Sequence, residues 1–558
     1  MKPHSQLSKW AAAMLAAFVA LTVPAAEQPK KPNIVFVISD QRTYRLFASA
    51  DYSLPALDAI ARHGVTFRNH YISSAMCSPS RASLLTGRPP QLTGVFDQMQ
   101  YPFTPTLRPD LPNVGSVLKG LGYKTAYFGK LEMDKRILNP DPKVNYHAAI
   151  QRYGFDVFSA GGDIGSQPRS GFDNDPFIAG ESVRWLRVNA GAARRTGQPF
   201  FMVASFVNAH DIMYGNANIP DQPAIQKAIP PETLPPLPAS TLYEKQWSFT
   251  LPASLTESLT APGMPPAILE YKSGWDGWSG TIPTDRKDMW QVFYNYYLNC
   301  IRDEDRALQQ LVDVMNEMDL WRDTIVIFTS DHGEMAGAHG GLKGKGPFCY
   351  EANAHVPFII ASPVAKAGAS CDALTSHLDL LPTIVGLTGV PEASRPAAVK
   401  ALPGRDFSGL LADPENVGVQ AVRPAVLFNY LGVSTVGADY LSKLLSSLNM
   451  GQPTPPVTEA KLGKRGFLSF AFNGRYKFAR YYAPNDFNTP QSLEDLFQHN
   501  DVQLFDLDSD PDEVRNLAAE PEKNRALILK MNSLLNDLMA MEVGVNDGSF
   551  LPNEIRPK

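Results

Sequence analysis

The chain has 558 residues, of which 44% are hydrophobic and 19% charged; this is the balance of a globular protein, and the chain is too long for one simple core. Its 51 basic and 56 acidic side chains leave a net charge of −5, without long runs of one sign. No basic stripe marks a nucleic-acid binder, so an anionic ligand has to be met by local cations and not by an overall field.

The N-terminus reads as an export signal, assigned to residues 1–26. Lys2 and Lys9 precede or open a short apolar run over residues 10–23, and Ala25 and Ala26 supply small residues for cleavage. The run is shorter than the ~20 residues a spanning helix needs. No later stretch is apolar enough to span a bilayer, so a periplasmic or secreted protein is expected. Only four cysteines occur, Cys77, Cys300, Cys349 and Cys371. That is too few for a disulfide-stapled scaffold, and the fold has to rest on its core.

Residues 34–38 (IVFVI) are unbroken and apolar, as in a strand buried on both faces, and run into Ser39, Asp40 and Gln41. Helical spacing follows at 55–63 and 114–121, where Gly122 stops the second helix before a strand at 125–128. Residues 200–206 (FFMVASF) and 324–329 (TIVIFT) are further buried strands, the latter preceded by an amphipathic helix over 302–318. A strand at 358–361 and a helix at 378–387 complete this part. Strands alternating with helices predict an α/β fold with a large, mainly parallel sheet sandwiched by helices. Functional groups in such sheets gather past the carboxyl ends of the strands, where Asp40, His210 and Asp331 fall.

Residues 219–284 are proline-rich and aperiodic, and read as an irregular insertion that covers the site. After residue 423 short strands appear at 467–472, 476–482 and 502–507, with a helix at 521–541. These predict a smaller α+β lobe on an antiparallel sheet. The expected division is a catalytic domain over 27–420 and a C-terminal subdomain over 421–558.

The segment from Cys77 to Arg88 reads CSPSRASLLTGR. Pro79 suits the first turn of a helix that Gly87 ends, which puts Cys77 at a helix N-terminus, where backbone N–H groups favour an anion. Arg81 lies one turn on and points back to the same spot. The pairs Asp40–Gln41 and Asp331–His332, each after an apolar strand, offer oxygen donors suited to Ca²⁺ or Mg²⁺ and one imidazole that admits Mn²⁺.

The cysteine segment resembles the sulfatase signature C-x-P-S-R followed by L-x-T-G-R, in which the cysteine is converted to formylglycine. The resemblance implies a metal centre of Asp40, Gln41, Asp331, His332 and residue 77, with Ca²⁺ the first expectation. It implies that Arg81, Lys130 (in YFGKLEM) and Lys345 (in GLKGKGPF) stabilise charge on the transferred group, with Lys343 an alternative to Lys345. His210, in FVNAHD, is implied to protonate the departing oxygen. A hydrated formylglycine attacks sulfur with one hydroxyl and expels sulfate with the other, and a formylglycine-generating enzyme has to supply the oxidation. The substrate implied is a small-molecule or saccharide sulfate ester. Two departures stand out. Gln41 replaces the usual second aspartate, as in the choline-sulfatase and phosphonate-monoester-hydrolase branches. Glu132 occupies a histidine position, and is expected either to turn away or to meet a cationic part of the substrate. Phosphonate monoester or phosphodiester hydrolysis is the alternative activity, and binding of sulfated ligands without turnover a further one.

Overall fold

The computed structural model describes residues 31–138, 143, 145–159, 162–165 and 167–557, so the export segment lies outside the described residues. From Pro32 onward the chain is one compact unit. In chain order the strands are β1 (Asn33–Ser39), β2 (Gly64–Phe67), β3 (His70–Tyr71), β4 (Lys124–Gly129) and β5 (Val157–Phe158). They are followed by β6 (Phe200–Ser205), β7 (Thr324–Ser330), β8 (Phe358–Ala361), β9 (Ala369–Cys371) and β10 (Thr375–Ser376). The C-terminal part adds β11 (Val426–Tyr430), β12 (Phe467–Phe472), β13 (Tyr476–Tyr482) and β14 (Asp501–Asp506).

Eight strands form one sheet in the order β5-β4-β6-β1-β7-β8-β2-β9. All run parallel except β8, which pairs antiparallel with both β7 and β2. Alternate residues of the central strands feed two cores. Ile34, Phe36, Ile38, Phe201, Val203, Ile325 and Ile327 pack with the helices Cys77–Thr86, Val114–Gly120 and Leu380–Leu387. Val35, Val37, Met202, Ala204, Val326 and Phe328 pack with the helices Pro55–Arg62, Ser170–Thr196 and Lys287–Glu317. Both faces are covered, which is why these strands are apolar throughout rather than alternating.

Three elements differ from the sequence expectation, each for a physical reason. The helix expected at 302–318 is only the second half of Lys287–Glu317; the first half buries Trp290, Phe293, Tyr294, Tyr296 and Tyr297, so it lacks a single apolar stripe. The helix Ser170–Thr196 went unread because three glycines and Pro176 dilute its pattern. Residues 219–284 are not uniformly irregular, since they include the helix Pro266–Ser279. Its Gly274 and Gly277 have their missing Cβ positions filled by Ala438, Leu441 and Ser442 of the helix Ala438–Asn449. Glycine here serves close helix–helix approach and not a turn.

The C-terminal sheet is antiparallel, in the order β11-β12-β13-β14, and gains β11 beyond the three expected strands. One face packs Leu427, Ala471 and Phe478 against the helix Arg525–Glu542. The other face packs Phe428, Phe470 and Phe472 against Tyr71, Tyr350 and Val356. A buried ion-pair network also ties this part to the large sheet's helices. Arg423 donates from Nε and Nη2 to both oxygens of Asp379, at 2.9 and 2.7 Å, and from Nη1 to Glu542 at 3.0 Å. Replacing Arg423 by Met strands two buried carboxylates, and is expected to cost about 3–5 kcal/mol of stability. The check is the denaturant midpoint of the purified protein, with Asp379→Asn added to Arg423→Met restoring part of the loss.

Candidate active site

Four adjacent parallel strands, β4, β6, β1 and β7, each end by delivering polar groups to one place. Lys130 follows β4, His210 lies five residues past β6, Asp40 and Gln41 follow β1, and Asp331 and His332 follow β7. Cys77 opens the helix Cys77–Thr86 above them, with Pro79 in its first turn and Gly87 (φ 68°) closing it as expected. Every one of these side chains is buried, at 1% exposure or less.

Arg81 binds the strand ends together. Its Nε donates to Asp331 Oδ2 (2.9 Å), its Nη2 to Asp40 Oδ2 (3.0 Å), and its Nη1 to the Lys130 carbonyl and Ser205 Oγ (2.7 Å each). All three of its guanidinium nitrogens are thus engaged by protein groups. Ser80, one residue earlier, donates to the Asp331 carbonyl.

Asp40, Cys77, Asp331 and His332 present ligand atoms that all lie within 4.8 Å of one another. The donor chemistry fits a cation. His332 Nδ1 faces the Gly333 carbonyl at 3.0 Å, which makes it the protonated nitrogen and leaves Nε2 bare toward Cys77 Sγ at 3.2 Å. Gln41 lies beside this cluster in the left-handed region (φ 60°). Its amide oxygen accepts from Lys345 Nζ at 2.6 Å and its amide nitrogen donates to Glu334. Glu334, in the same TSDHGE segment as Asp331, was not singled out in the sequence, although its position beside the ligand pair was the available signal.

The two candidate lysines separate cleanly. Lys345 reaches Gln41 and Met213, whereas Lys343 turns away to Ser279 Oγ (3.0 Å), the Gly280 carbonyl (2.6 Å) and Asp276 (3.2 Å). The helix Pro266–Ser279 thus clasps this loop, and Tyr271 Oη donates to the Lys345 carbonyl at 2.7 Å. Lys130 Nζ donates to Asp40 Oδ2 at 2.6 Å and lies 3.4 Å from Cys77 Sγ. Glu132 neither turns away nor stands open to a cationic substrate group: it pairs with Lys130 Nζ at 3.2 Å and accepts from Ser78 Oγ at 2.9 Å.

Electrostatics sort these groups. Burial acts to raise Asp40, but Lys130 and Arg81 hold it well below the usual range. Asp331 is pushed up to about 7 by burial and by the charge of Asp40. Burial, with Asp40 nearby, pushes the Cys77 thiol up to about 12, so the unmodified side chain is a protonated and weak nucleophile. Burial and then Lys345 keep His332 well below the usual histidine range, in the neutral form a metal requires. His210 is likewise lowered, by burial and then by Lys130 and Lys345, and its Nδ1 has no hydrogen-bond partner.

A nucleophile position on a helix N-terminus, a cation-binding cluster and two buried ammonium groups define a hydrolase site for a small tetrahedral anion. A family model described as Sulfatase matches residues 32–390, and the chain belongs to the sulfatase family, hydrolases of sulfate esters. Among curated proteins it is similar to a choline-sulfatase of Rhizobium meliloti, 27% identical over 88% of this chain and 83% of that protein. Among solved structures it is similar to a 2-O GAG sulfatase (TM-score 0.63, 21% identity, 92% of each chain). A phosphonate monoester hydrolase of Agrobacterium radiobacter is also similar (TM-score 0.60, 21% identity, 92% of this chain and 96% of that one). Among the described residues no helix is long and apolar enough to cross a membrane.

Because Asp331 has to give up its proton to hold a cation, divalent-ion affinity is expected to rise as pH is raised through about 7 and to fall below it. Calorimetric titration of the protein with Ca²⁺ at several pH values checks the sign. His332→Ala is expected to lose most of the binding at every pH.

Proposed function

We propose that this chain hydrolyses a sulfate ester through a formylglycine formed from Cys77, within a site that holds one divalent cation, Ca²⁺ in the first instance. The observation that carries the reading is the placement of Cys77 Sγ, 3.2 Å from a bare imidazole nitrogen and 3.4 Å from the Lys130 ammonium, in one cluster with Asp40 and Asp331. Asp40, Asp331 and His332 would hold the ion together with residue 77, and the Gln41 oxygen, which keeps a second lone pair, would be a further ligand. When bound, the ion supplies Lewis acidity that favours the ionised hydroxyl of a hydrated residue 77.

The chain's own residues do the rest. Lys130 and Lys345 bind oxygens of the transferred group and offset its charge in a dry site, where such interactions are strongest. Arg81 acts as a positioning residue that fixes Asp40, Asp331 and Lys130. His210 donates a proton to the leaving oxygen. Its imidazole is held neutral by burial and by the two lysines, and a bound anion beside the lysines offsets the second of these causes and raises it toward the protonated form. The helix Pro266–Ser279 keeps the Lys345 loop in place. A protein that oxidises Cys77 is a required partner, and residues 1–26 support export. The substrate is a small-molecule or saccharide sulfate ester.

Gln41 and His332 also favour a second reading, hydrolysis of a phosphonate monoester with the same nucleophile. The two are separated by kcat/KM for 4-nitrophenyl sulfate and a 4-nitrophenyl phosphonate monoester, measured on ion-replete protein whose residue 77 is confirmed as formylglycine by peptide mass. A higher value on the sulfate is expected; a clear preference for the phosphonate reverses the assignment.

The role of His210 predicts a dependence on the leaving group. His210→Gln is expected to lower kcat/KM on an alkyl sulfate by about 10²–10⁴-fold, the usual worth of general acid catalysis. On 4-nitrophenyl sulfate, whose leaving group needs no proton, the loss is expected to be far smaller. Equal losses on both substrates would contradict the assignment of a proton donor.

A further inference from the structure

The mechanism above makes no use of Glu132, yet the fold spends several interactions on fixing it. Its backbone adopts the left-handed region (φ 51°), an uncommon conformation for a residue with a side chain. The N–H groups of Leu131 and Glu132 donate to the two oxygens of the buried Asp163, at 2.8 Å each, which pins the turn after β4. The side chain is pinned as firmly. Ser78 Oγ accepts from the Met99 N–H at 2.9 Å, so its own proton is directed to Glu132 Oε2. Glu132 Oε1 meets the same Lys130 ammonium that lies 3.4 Å from Cys77 Sγ. Ser78 is the immediate neighbour of Cys77, and Glu132 is 5% exposed.

The site therefore contains a fixed carboxylate beside the Lys130 ammonium, outside the candidate cation cluster. Three basic side chains, Arg81, Lys130 and Lys345, and four carboxylates, Asp40, Asp331, Glu334 and Glu132, are gathered around residue 77. Of the carboxylates, Glu132 is the one outside the cation cluster that meets the Lys130 ammonium. An ester with a second negative charge on the transferred group adds repulsion from Glu132 in a site with almost no exposed surface, where like charges are poorly screened. A neutral amide at residue 132 removes that repulsion.

We propose that Glu132 is a charge filter that confines this site to esters bearing a single negative charge on the transferred group and rejects dianionic phosphate monoesters. The inference rests on the proposed function for the site, but not on the choice between sulfate and phosphonate, since both are monoanions. It differs from recognition of a cationic leaving group, because the carboxylate faces Lys130 and Ser78 beside the nucleophile.

The test compares wild type with Glu132→Gln, both ion-replete and with conversion of residue 77 verified. The readouts are kcat/KM for 4-nitrophenyl phosphate and for the monoanionic ester that wild type turns over, sulfate or phosphonate. The ratio of phosphate to monoanion turnover is expected to rise by about 10- to 100-fold in Glu132→Gln, the size of effect one like charge produces at short range. A ratio changed by less than about twofold overturns the filter, even if both activities fall together, because that pattern is a positioning effect. Inhibition of wild type by inorganic sulfate and phosphate gives a second measurement that needs no variant. Inhibition by phosphate is expected to weaken relative to sulfate as pH rises and phosphate becomes a dianion; parallel inhibition across the range overturns the proposal. If wild type turns over neither the sulfate nor the phosphonate and neither anion binds, the functional reading and the filter fall together. Turnover with a Glu132-independent ratio sinks the filter alone.

Discussion

The architecture of the site turns on one buried guanidinium. Arg81 touches the carboxyl ends of four neighbouring strands through Asp40, Lys130, Ser205 and Asp331. Parallel strands leave their terminal groups side by side, and carboxylates brought together this way repel. A planar cation with donors fanned in fixed directions can hold two carboxylates, a carbonyl and a hydroxyl at once, which a point charge such as lysine cannot. Without it Asp40 would be left with the Lys130 ammonium and Asp331 with the backbone N–H groups of Gln41 and His332, and breaking a buried ion pair in this way costs about 3–5 kcal/mol. Arg81 sits one turn from Cys77 on the same helix, so the group that collects the strand ends also fixes the nucleophile over them.

This arrangement explains why the two aspartates behave differently. Asp40 receives both Arg81 and Lys130 and is held ionised, whereas Asp331, beside an already charged Asp40, is raised to about 7. Two carboxylates and an imidazole nitrogen this close together suit a divalent cation, which would relieve the repulsion between Asp40 and Asp331. The same balance governs the thiol. Buried beside Asp40, Cys77 stays protonated. A thiol held in this way is a poor nucleophile as it stands, which agrees with the proposed oxidation of residue 77. The other three cysteines are buried and unpaired and sit in the packing of the sheet and helices.

Much of this was legible in the chain because the physics is local. A strand buried on both faces has to be apolar, so β1, β6 and β7 announced themselves, and the residues after them marked the site. The CSPSRASLLTGR segment carried its helix start, its helix stop and the position of Arg81. What was not legible depended on partners distant in sequence. Lys343 and Lys345 are indistinguishable in a loop two residues apart; only the helix Pro266–Ser279, some seventy residues earlier, shows which of them is tied down. The partners of Arg81 were hidden for the same reason, since they come from the ends of four separate strands. The helices Ser170–Thr196 and Pro266–Ser279 hid behind their glycines and prolines, of which Gly274 and Gly277 serve packing against a distant helix.

Glu132 shows how far a departure from a family pattern can be interpreted once its surroundings are known. In sequence it is a carboxylate where a histidine is usual, and charge alone suggested that it should avoid an anion. The fold does the opposite. It spends a left-handed residue, the carboxylate of Asp163 and the hydroxyl of Ser78 on keeping Glu132 beside Lys130. A group whose charge merely needed hiding could have pointed to solvent at no such expense. Fixing a negative charge next to an anion pocket weakens binding of all anions to some degree, but it weakens binding of dianions more, and selectivity depends on that difference rather than on affinity. The neutral Gln41, where a second aspartate is usual, acts in the opposite direction by removing one negative charge from the cluster. The two substitutions together keep the charge of the pocket constant while moving one carboxylate from the cation's side to the side of the ester.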